Sequence, residues 1–126
     1  MKKKRYLPIG SVVLLKDSDR KFVIIGYYYH DYLTEKTYDY CGCIYPIGVI
    51  PHGLGMCFNQ EDVEKVIDLG FVTKNYEIYT NKLKEMIDSG ELDKKIEERE
   101  KIEKDVANGI FSAMKDIRKR EINGKK

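Results

Sequence analysis

Three cysteines and one histidine near the middle of the chain have the residue types of a metal site. Cys41 and Cys43 are separated by a single residue, and His52 and Cys57 follow them. Structural zinc sites usually place two to four residues between the members of a cysteine pair, so the Cys41–Cys43 spacing is too short. Cysteine is also commonly buried as a small apolar side chain. We therefore predict that the protein holds no metal and no other cofactor.

The remaining candidates for catalysis are two histidines and one aspartate. His30 and His52 are the only histidines, and both fall in predicted loops. A cysteine nucleophile needs a base within hydrogen-bond reach, and nothing in the sequence positions either imidazole against a thiol. Asp39 lies between two tyrosines, and we interpret it as the polar partner of neighbouring hydroxyl groups. The sequence therefore indicates a protein that is not an enzyme.

Tyrosine is the unusual residue of this chain, with ten copies in 126 residues. Aromatic rings on a sheet can stack on single-stranded nucleic acid, but such surfaces also carry interleaved cations. Between residues 22 and 45 the only Lys or Arg is Lys36, so nucleic acid is excluded as a partner. Tyrosine is also enriched at protein interfaces, which makes Tyr28, Tyr32 and Tyr38 candidate partner-binding residues.

The overall composition narrows the class of protein further. The chain has 23 basic and 21 acidic residues, a net charge of +2, so bulk charge does not favour a polyanion as partner. No apolar run reaches the roughly 18 to 20 residues that cross a bilayer, and the basic start lacks the apolar core of a signal peptide. An odd number of cysteines fits reduced thiols. We predict a cytoplasmic protein without membrane insertion.

Residues 1–74 predict an α+β core domain, a small curled antiparallel sheet with one short helix. Two apolar segments, 11–16 and 21–29, flank a polar turn and predict a β-hairpin. A third strand is expected over 37–45, and the continuous apolar runs in the hairpin indicate burial on both faces of the sheet.

The short helix of this core is predicted after the strands. Asn59 is a favourable N-cap residue, acidic residues follow it, and Gly70 is typical of a helix end. Val63, Val66 and Ile67 would then face inward. Phe71 and Val72 leave room only for a closing edge strand.

Residues 75–126 predict a charged helical extension, either a helical hairpin or extended helices. Apolar spacing of three and four residues indicates a helix over 76–88, and Ser89-Gly90 interrupts it. No proline follows, so Glu91 to about Ile122 is expected to be one helix. Its first half is almost wholly charged, and we expect Glu/Lys pairs four residues apart to support it.

An apolar stripe follows that charged stretch. Its residues repeat at three- and four-residue spacing, and about 30 Å of charged helix separates them from the core. We predict a partner-binding surface there, although docking within the chain and homo-oligomerisation remain open alternatives. The residues are Val106, Ile110, Phe111, Met114 and Ile117.

Two strings in the first part of the chain are distinctive: Leu7-Pro8-Ile9-Gly10-Ser11-Val12 and Tyr38-Asp39-Tyr40-Cys41-Gly42-Cys43-Ile44-Tyr45-Pro46. They resemble a bacterial family found beside genes for LXG-domain toxins of the type VIIb secretion system. The resemblance is to the LXG toxin chaperones, and it covers residues 6–72. It implies a non-enzymatic chaperone or targeting factor that binds an LXG-domain toxin before export, and it carries over no catalytic residue. An immunity or regulatory protein of the same toxin locus is the alternative.

Overall fold

A computed structural model describes residues 5–49 and 55–124 of the chain. It has the predicted α+β class, a five-stranded antiparallel sheet followed by two helices. The strands occur in the spatial order β4-β3-β2-β1-β5. Their bounds are β1 Val12–Leu15, β2 Lys21–Asp31, β3 Lys36–Ile44, β4 Met56–Phe58 and β5 Val63–Asp68; the helices are α1 Lys74–Asp88 and α2 Glu91–Gly124.

Two hairpins build the centre of the sheet. The predicted hairpin is confirmed, since β1 pairs with β2 in antiparallel register across the polar turn. The predicted third strand is confirmed as β3, which pairs with β2 from Phe22–Ile44 to Asp31–Lys36. Asp17 and Glu35 adopt positive φ values of 62° and 56° in the two turns, a conformation that is uncommon outside glycine and for which aspartate is one of the enriched residues. Strand β4, at one edge of the sheet, was not expected.

Burial on both faces of the sheet was a wrong expectation. Alternate residues of β1 and β2 are buried, with Val13 and Ile24 fully inaccessible, while the intervening Ile25 is 44% exposed. The sheet is also not strongly curled. The apolar runs therefore form strands that bury one face well and leave apolar side chains on the other, as an open antiparallel sheet allows.

The predicted short helix over residues 59–70 is wrong. A single 3-10 turn, Gln60–Asp62, follows Asn59, and Val63–Asp68 is then strand β5, paired with β1. The Asn59 side chain accepts a hydrogen bond from the backbone N–H of Asp39 on β3 at 3.0 Å. β-Branched side chains favour strands, so pairing with β1 prevails over the capping signal. The predicted edge strand at residues 71–72 is also absent; Phe71 is 84% exposed and irregular.

Helix α1 packs against the buried face of the sheet. The chain forms two compact units, Met1–Met86 and Ile87–Lys126, so most of α1 belongs with the strands. Thr80 and Leu83 of this helix are buried, and the Tyr76 phenol donates a hydrogen bond to the backbone carbonyl of Tyr6. The predicted helix over 76–88 is thereby confirmed, and the predicted domain division after residue 74 stays a prediction.

The long second helix is confirmed as α2, which runs for 34 residues. Its charged half carries the expected pairs four residues apart, Lys95–Glu91, Arg99–Glu103 and Lys104–Glu100. These pairs are exposed, and each contributes a few tenths of a kcal/mol, about 0.3–0.5. Neither helix in the described part of the chain is long and apolar enough to cross a membrane.

Candidate functional site

The structure describes three of the four residues that resembled a metal site, and it brings only two of them together. Cys41 on β3 and Cys57 on β4 are directly opposite each other. Cys43 lies opposite Val23 on β2 instead, and His52 lies outside the described residues. All three cysteines are free thiols. Within residues 5–49 and 55–124 no group of three or more His, Cys, Asp or Glu side chains could hold a metal.

Cys41 and Cys57 line a cavity of about 270 Å³. Burial raises the pKa of both thiols, and that of Cys57 reaches about 11, with Cys41 and the Asp31 carboxylate adding to the effect. Both groups are therefore protonated at neutral pH, unlike a catalytic cysteine, whose pKa is lowered. The cavity is also lined by Tyr29, Asp31, Tyr32, Leu33 and Gly55.

His30 contacts Thr37 and Tyr32 and is not paired with a cysteine thiol in the contacts of the described residues. Its Nδ1 lies 2.8 Å from the Thr37 hydroxyl on the neighbouring strand, and its ring packs edge-on against Tyr32 at a centroid distance of 4.6 Å. The other ring nitrogen is buried and has no hydrogen-bond partner among the described residues. The imidazole thus stabilises the β2–β3 hairpin.

Asp39 is fully buried and its carboxylate is hydrogen-bonded. It accepts a hydrogen bond from the Tyr6 phenol at 3.1 Å and another from the backbone N–H of Gln60 at 2.9 Å. The interpretation of Asp39 as the partner of a hydroxyl group is confirmed, although the hydroxyl comes from Tyr6 and not from a sequence neighbour. The carboxylate joins the N-terminal segment, β3 and the turn before β5.

The buried tyrosines bind the N-terminal segment through its backbone. The phenol of Tyr40 accepts a hydrogen bond from the Leu7 N–H at 2.9 Å, and the Tyr27 phenol donates to the Leu7 carbonyl. The ring of Tyr6 packs edge-on against both, with centroid distances of 5.3 Å. Burial raises the pKa of Tyr6, Tyr27 and Tyr40 above the usual range. Tyr6 and Tyr40 belong to the buried core, and Tyr27 is half-buried beside them.

Of the three tyrosines predicted to form a partner surface, Tyr28 and Tyr38 are half-buried and Tyr32 is exposed. Tyr28 is half-buried with a φ of 47°. Tyr32 packs on His30 and lines the cysteine cavity. Tyr38 is half-buried opposite Tyr29. These contacts do not gather the three rings into one cluster.

The apolar stripe of α2 is exposed along its whole length. Phe111, Met114 and Ile117 form an open apolar patch on this helix, flanked by the charged side chains of Lys115, Arg118 and Glu121. Every residue of the stripe is more than half exposed: Val106 57%, Ile110 56%, Phe111 64%, Met114 59% and Ile117 55%.

Comparison with protein families gives one match. The model of a domain of unknown function, DUF4176, matches residues 6–78. The chain belongs to the DUF4176 family. No curated protein and no solved structure matches it. The DUF4176 domain comprises the five strands and the start of α1, whereas the stripe of α2 lies beyond its end.

The two strings inside the DUF4176 domain have structural roles. Tyr40 of the second string accepts the backbone hydrogen bond of Leu7 in the first. Ser11 of the first string is fully buried, and its hydroxyl accepts a hydrogen bond from the Gly70 N–H at 3.0 Å. These contacts bring distant parts of the DUF4176 domain together. Spacing alone could not predict them, because the partners are more than thirty residues apart.

Proposed function

We propose that this DUF4176 protein is a cytoplasmic, non-enzymatic chaperone or targeting factor that binds an LXG-domain toxin before export by the type VIIb secretion system. The observation that carries the proposal is the exposed stripe of α2. The resemblance of residues 6–72 to the LXG toxin chaperones supplies the identity of the partner. The toxins of this system act in competition between bacteria, and the proposed role is to accompany one of them to the secretion machinery.

The stripe fits one helix of a protein partner. From Val106 to Ile117 it extends for about 16 Å along α2 at 1.5 Å per residue. Amphipathic helices recognise partners by laying such a face into an apolar groove. Burial contributes about 25 cal/mol per Å² of apolar surface, so covering five half-exposed side chains supplies several kcal/mol. Exposed apolar surface of this extent is typical of an interaction site.

Charge favours a partner helix with acidic flanks. Lys115 and Arg118 border the apolar stripe on α2 together with Glu121, and Lys119 and Arg120 add two further cations in sequence. Complementary charge at the rim of an interface chiefly increases the rate of association and the specificity. We expect binding to weaken as salt screens these exposed cations.

The chemistry of the core supports a role without catalysis, metal or cofactor. The Asp39 carboxylate is occupied by Tyr6 and Gln60, and His30 is hydrogen-bonded to Thr37. The Cys57 thiol has a pKa of about 11 and is therefore a poor nucleophile near neutrality.

The test is co-purification of the full chain with separate pieces of the toxin. The proposal expects capture of the LXG segment, and a Phe111→Asp, Met114→Asp double variant should lose it. Phe71→Asp with Leu33→Asp is the matched control, since those apolar side chains are 84% and 88% exposed outside α2. The control should bind like the unaltered protein.

Other results would change the assignment. Capture of the C-terminal toxic domain in place of the LXG segment would indicate an immunity or regulatory protein. Loss of self-association in the double variant, with toxin binding intact, would assign the stripe to a homo-oligomer. Unchanged toxin binding by a monomeric double variant would move the search to Tyr28, Tyr32 and Tyr38.

A further inference from the structure

Cys41 and Cys57 occupy directly opposite positions on β3 and β4. Such pairs in an antiparallel ladder have Cα atoms about 4.5–5.5 Å apart. Disulfides form at Cα separations of about 4.4–6.8 Å, so the register alone brings this pair within the required range. The two residues therefore need no change of strand register to come within reach of each other.

The third cysteine does not have this relationship. Cys43 is two residues along the same strand from Cys41 and pairs with Val23 of β2. Residues two apart in a strand are separated by about 6.6 Å along it, and their side chains stand side by side without converging. Cys43 therefore serves as an internal reference, a thiol on the same face of β3 whose cross-strand partner is Val23 and not a cysteine.

A small molecule can reach the pair. Both thiols line the cavity of about 270 Å³ together with Tyr29, Asp31 and Tyr32, and both residues are only half-buried. Strand alternation places them on the face opposite the buried Tyr40 and Phe58. A reagent therefore enters from the open face of the sheet without disturbing the core.

We propose that Cys41 and Cys57 form a reversible modification site, which a low-molecular-weight disulfide closes to a protein disulfide between β3 and β4. One cysteine first loses its proton, because both thiols are protonated near neutrality, and its thiolate attacks the reagent. The S–S bond of the reagent breaks, a mixed disulfide forms and one reagent thiolate leaves. The second cysteine thiolate attacks the protein sulfur of the mixed disulfide and displaces the other reagent thiolate. The two cysteine protons end on the two released thiols, so the pair is oxidised by two electrons and the reagent is reduced by two.

The disulfide would link the short edge strand β4 covalently to β3. Strand β4 has only three residues, and its ladder to β3 consists of three residue pairs. A covalent link at the central pair restricts the separation of β4 from β3 in the unfolded chain and so favours the folded state. The inference does not depend on the proposed partner or on α2.

The experiment uses the full chain carrying Cys43→Ser, reduced and then incubated with oxidised glutathione. The expected product has lost two hydrogen atoms, carries no glutathione and returns to the starting mass with dithiothreitol. Cleavage after Met56 separates Cys57 from Cys41 in sequence, so the two fragments should remain joined until they are reduced. Should Cys43→Ser fold poorly, Cys43→Ala provides the same background.

Two further variants decide the pairing. With Cys43 absent, removal of Cys41 or of Cys57 by substitution with Ser should stop the reaction at one bound glutathione. A product that carries two glutathiones in the Cys43→Ser protein would overturn the proposal, as would unreacted thiols under conditions that modify Cys43 in the unaltered chain. A Cys41–Cys43 bond in the unaltered chain, with Cys57 still free, would overturn it as well.

Discussion

The phenol of Tyr6 donates a hydrogen bond to the carboxylate of Asp39, 3.1 Å away in the buried face of the sheet. The two residues are 33 positions apart in sequence, and both are almost fully inaccessible, with exposures of 2% and 1%. The bond joins the N-terminal segment to β3, which otherwise have no continuous ladder between them. It therefore fixes the first described residues of the chain onto the sheet.

Removal of this hydroxyl should destabilise the fold measurably. Tyr6→Phe leaves a buried carboxylate with one donor fewer, and hydrogen bonds to charged groups are worth about 1.5–3 kcal/mol. The free energy of unfolding, measured by urea titration, should fall by about that amount. Tyr29→Phe is the control, because Tyr29 is 49% exposed and surface changes usually stay within about 0.5 kcal/mol. Equal effects of the two changes would argue against the buried bond.

Stability should decrease at alkaline pH because of the same ring cluster. Burial raises the pKa of Tyr6 and Tyr40 above the ordinary value of 10.0, so above about pH 10 the unfolded chain loses phenolic protons that the folded chain retains. The unfolded state then binds fewer protons, and stability falls as pH rises, by up to about 1.4 kcal/mol per pH unit for each such tyrosine.

The measurement is the free energy of unfolding between pH 8 and pH 11. The contribution of Tyr6 should be complete below its unfolded pKa of 10.0 and should decline above it. Tyr6→Phe should have a shallower decline than the unaltered protein. Parallel curves for the two proteins would mean that Tyr6 ionises as readily in the folded state as in the unfolded one.

A pair of glycine substitutions should act in opposite directions. A Cβ atom at Gly70 would lie 2.3 Å from the Ile9 carbonyl oxygen and 2.8 Å from the Ser11 nitrogen. Both atoms are backbone, so Gly70→Ala should cost about 3 kcal/mol or more. Gly109 in α2 has nothing within 4 Å of the same position, and Gly109→Ala should favour the helix by about 0.5–1 kcal/mol. Thermal melts and helical circular dichroism test both, and a tolerated Gly70→Ala would contradict the close approach.

Two truncated chains test whether the N-terminal domain folds without α1, as the predicted boundary after residue 74 requires. A chain ending after Asp88 keeps Thr80 and Leu83, which are 2% and 5% exposed, and should melt cooperatively. A chain ending after Lys74 loses both, together with the Tyr76 hydrogen bond to Tyr6, and should melt at a much lower temperature or not cooperatively.

A point variant checks the same packing without truncation. Leu83→Ala in the full chain should cost about 2–5 kcal/mol, as expected for a buried leucine. Ile78→Ala, on the exposed side of the same helix at 59% exposure, should cost far less. Equal stability of the two variants would contradict the packing of Leu83. In the truncation experiment, a chain ending after Lys74 that melted like the full protein would support the predicted domain boundary after residue 74.

Local sequence signals were sufficient to predict the strands and helices that are determined by neighbouring residues. The polar turn before Lys21, the strand after Lys36 and the two helices each follow from residues close together in the chain. Strand β5 was mistaken for a helix because Asn59 and the spacing of Val63, Val66 and Ile67 fit a capped helix equally well. The deciding interaction is the pairing of β5 with β1, about fifty residues away, which no local pattern encodes.

The candidate sites also differ in whether local sequence or long-range contacts determine them. The stripe of α2 could be located because apolar periodicity along one helix identifies a face. The Cys41–Cys57 pair could not, because it depends on the register of the three-residue strand β4. Asp39 could be interpreted as a hydroxyl partner, but its link to Tyr6 appears only when the N-terminal segment crosses β3.

The order of the two compact units along the chain has a consequence during synthesis. The last strand of the sheet ends at Asp68 and its covering helix at Asp88, whereas the stripe begins at Val106. Translation delivers the N-terminal unit first, and domains fold as units while the chain is still growing. The sheet has therefore had time to form before the apolar side chains of α2 leave the ribosome. The apolar stripe of α2 therefore emerges when the strands of the same chain are already paired, so the unfolded strands cannot bind to it.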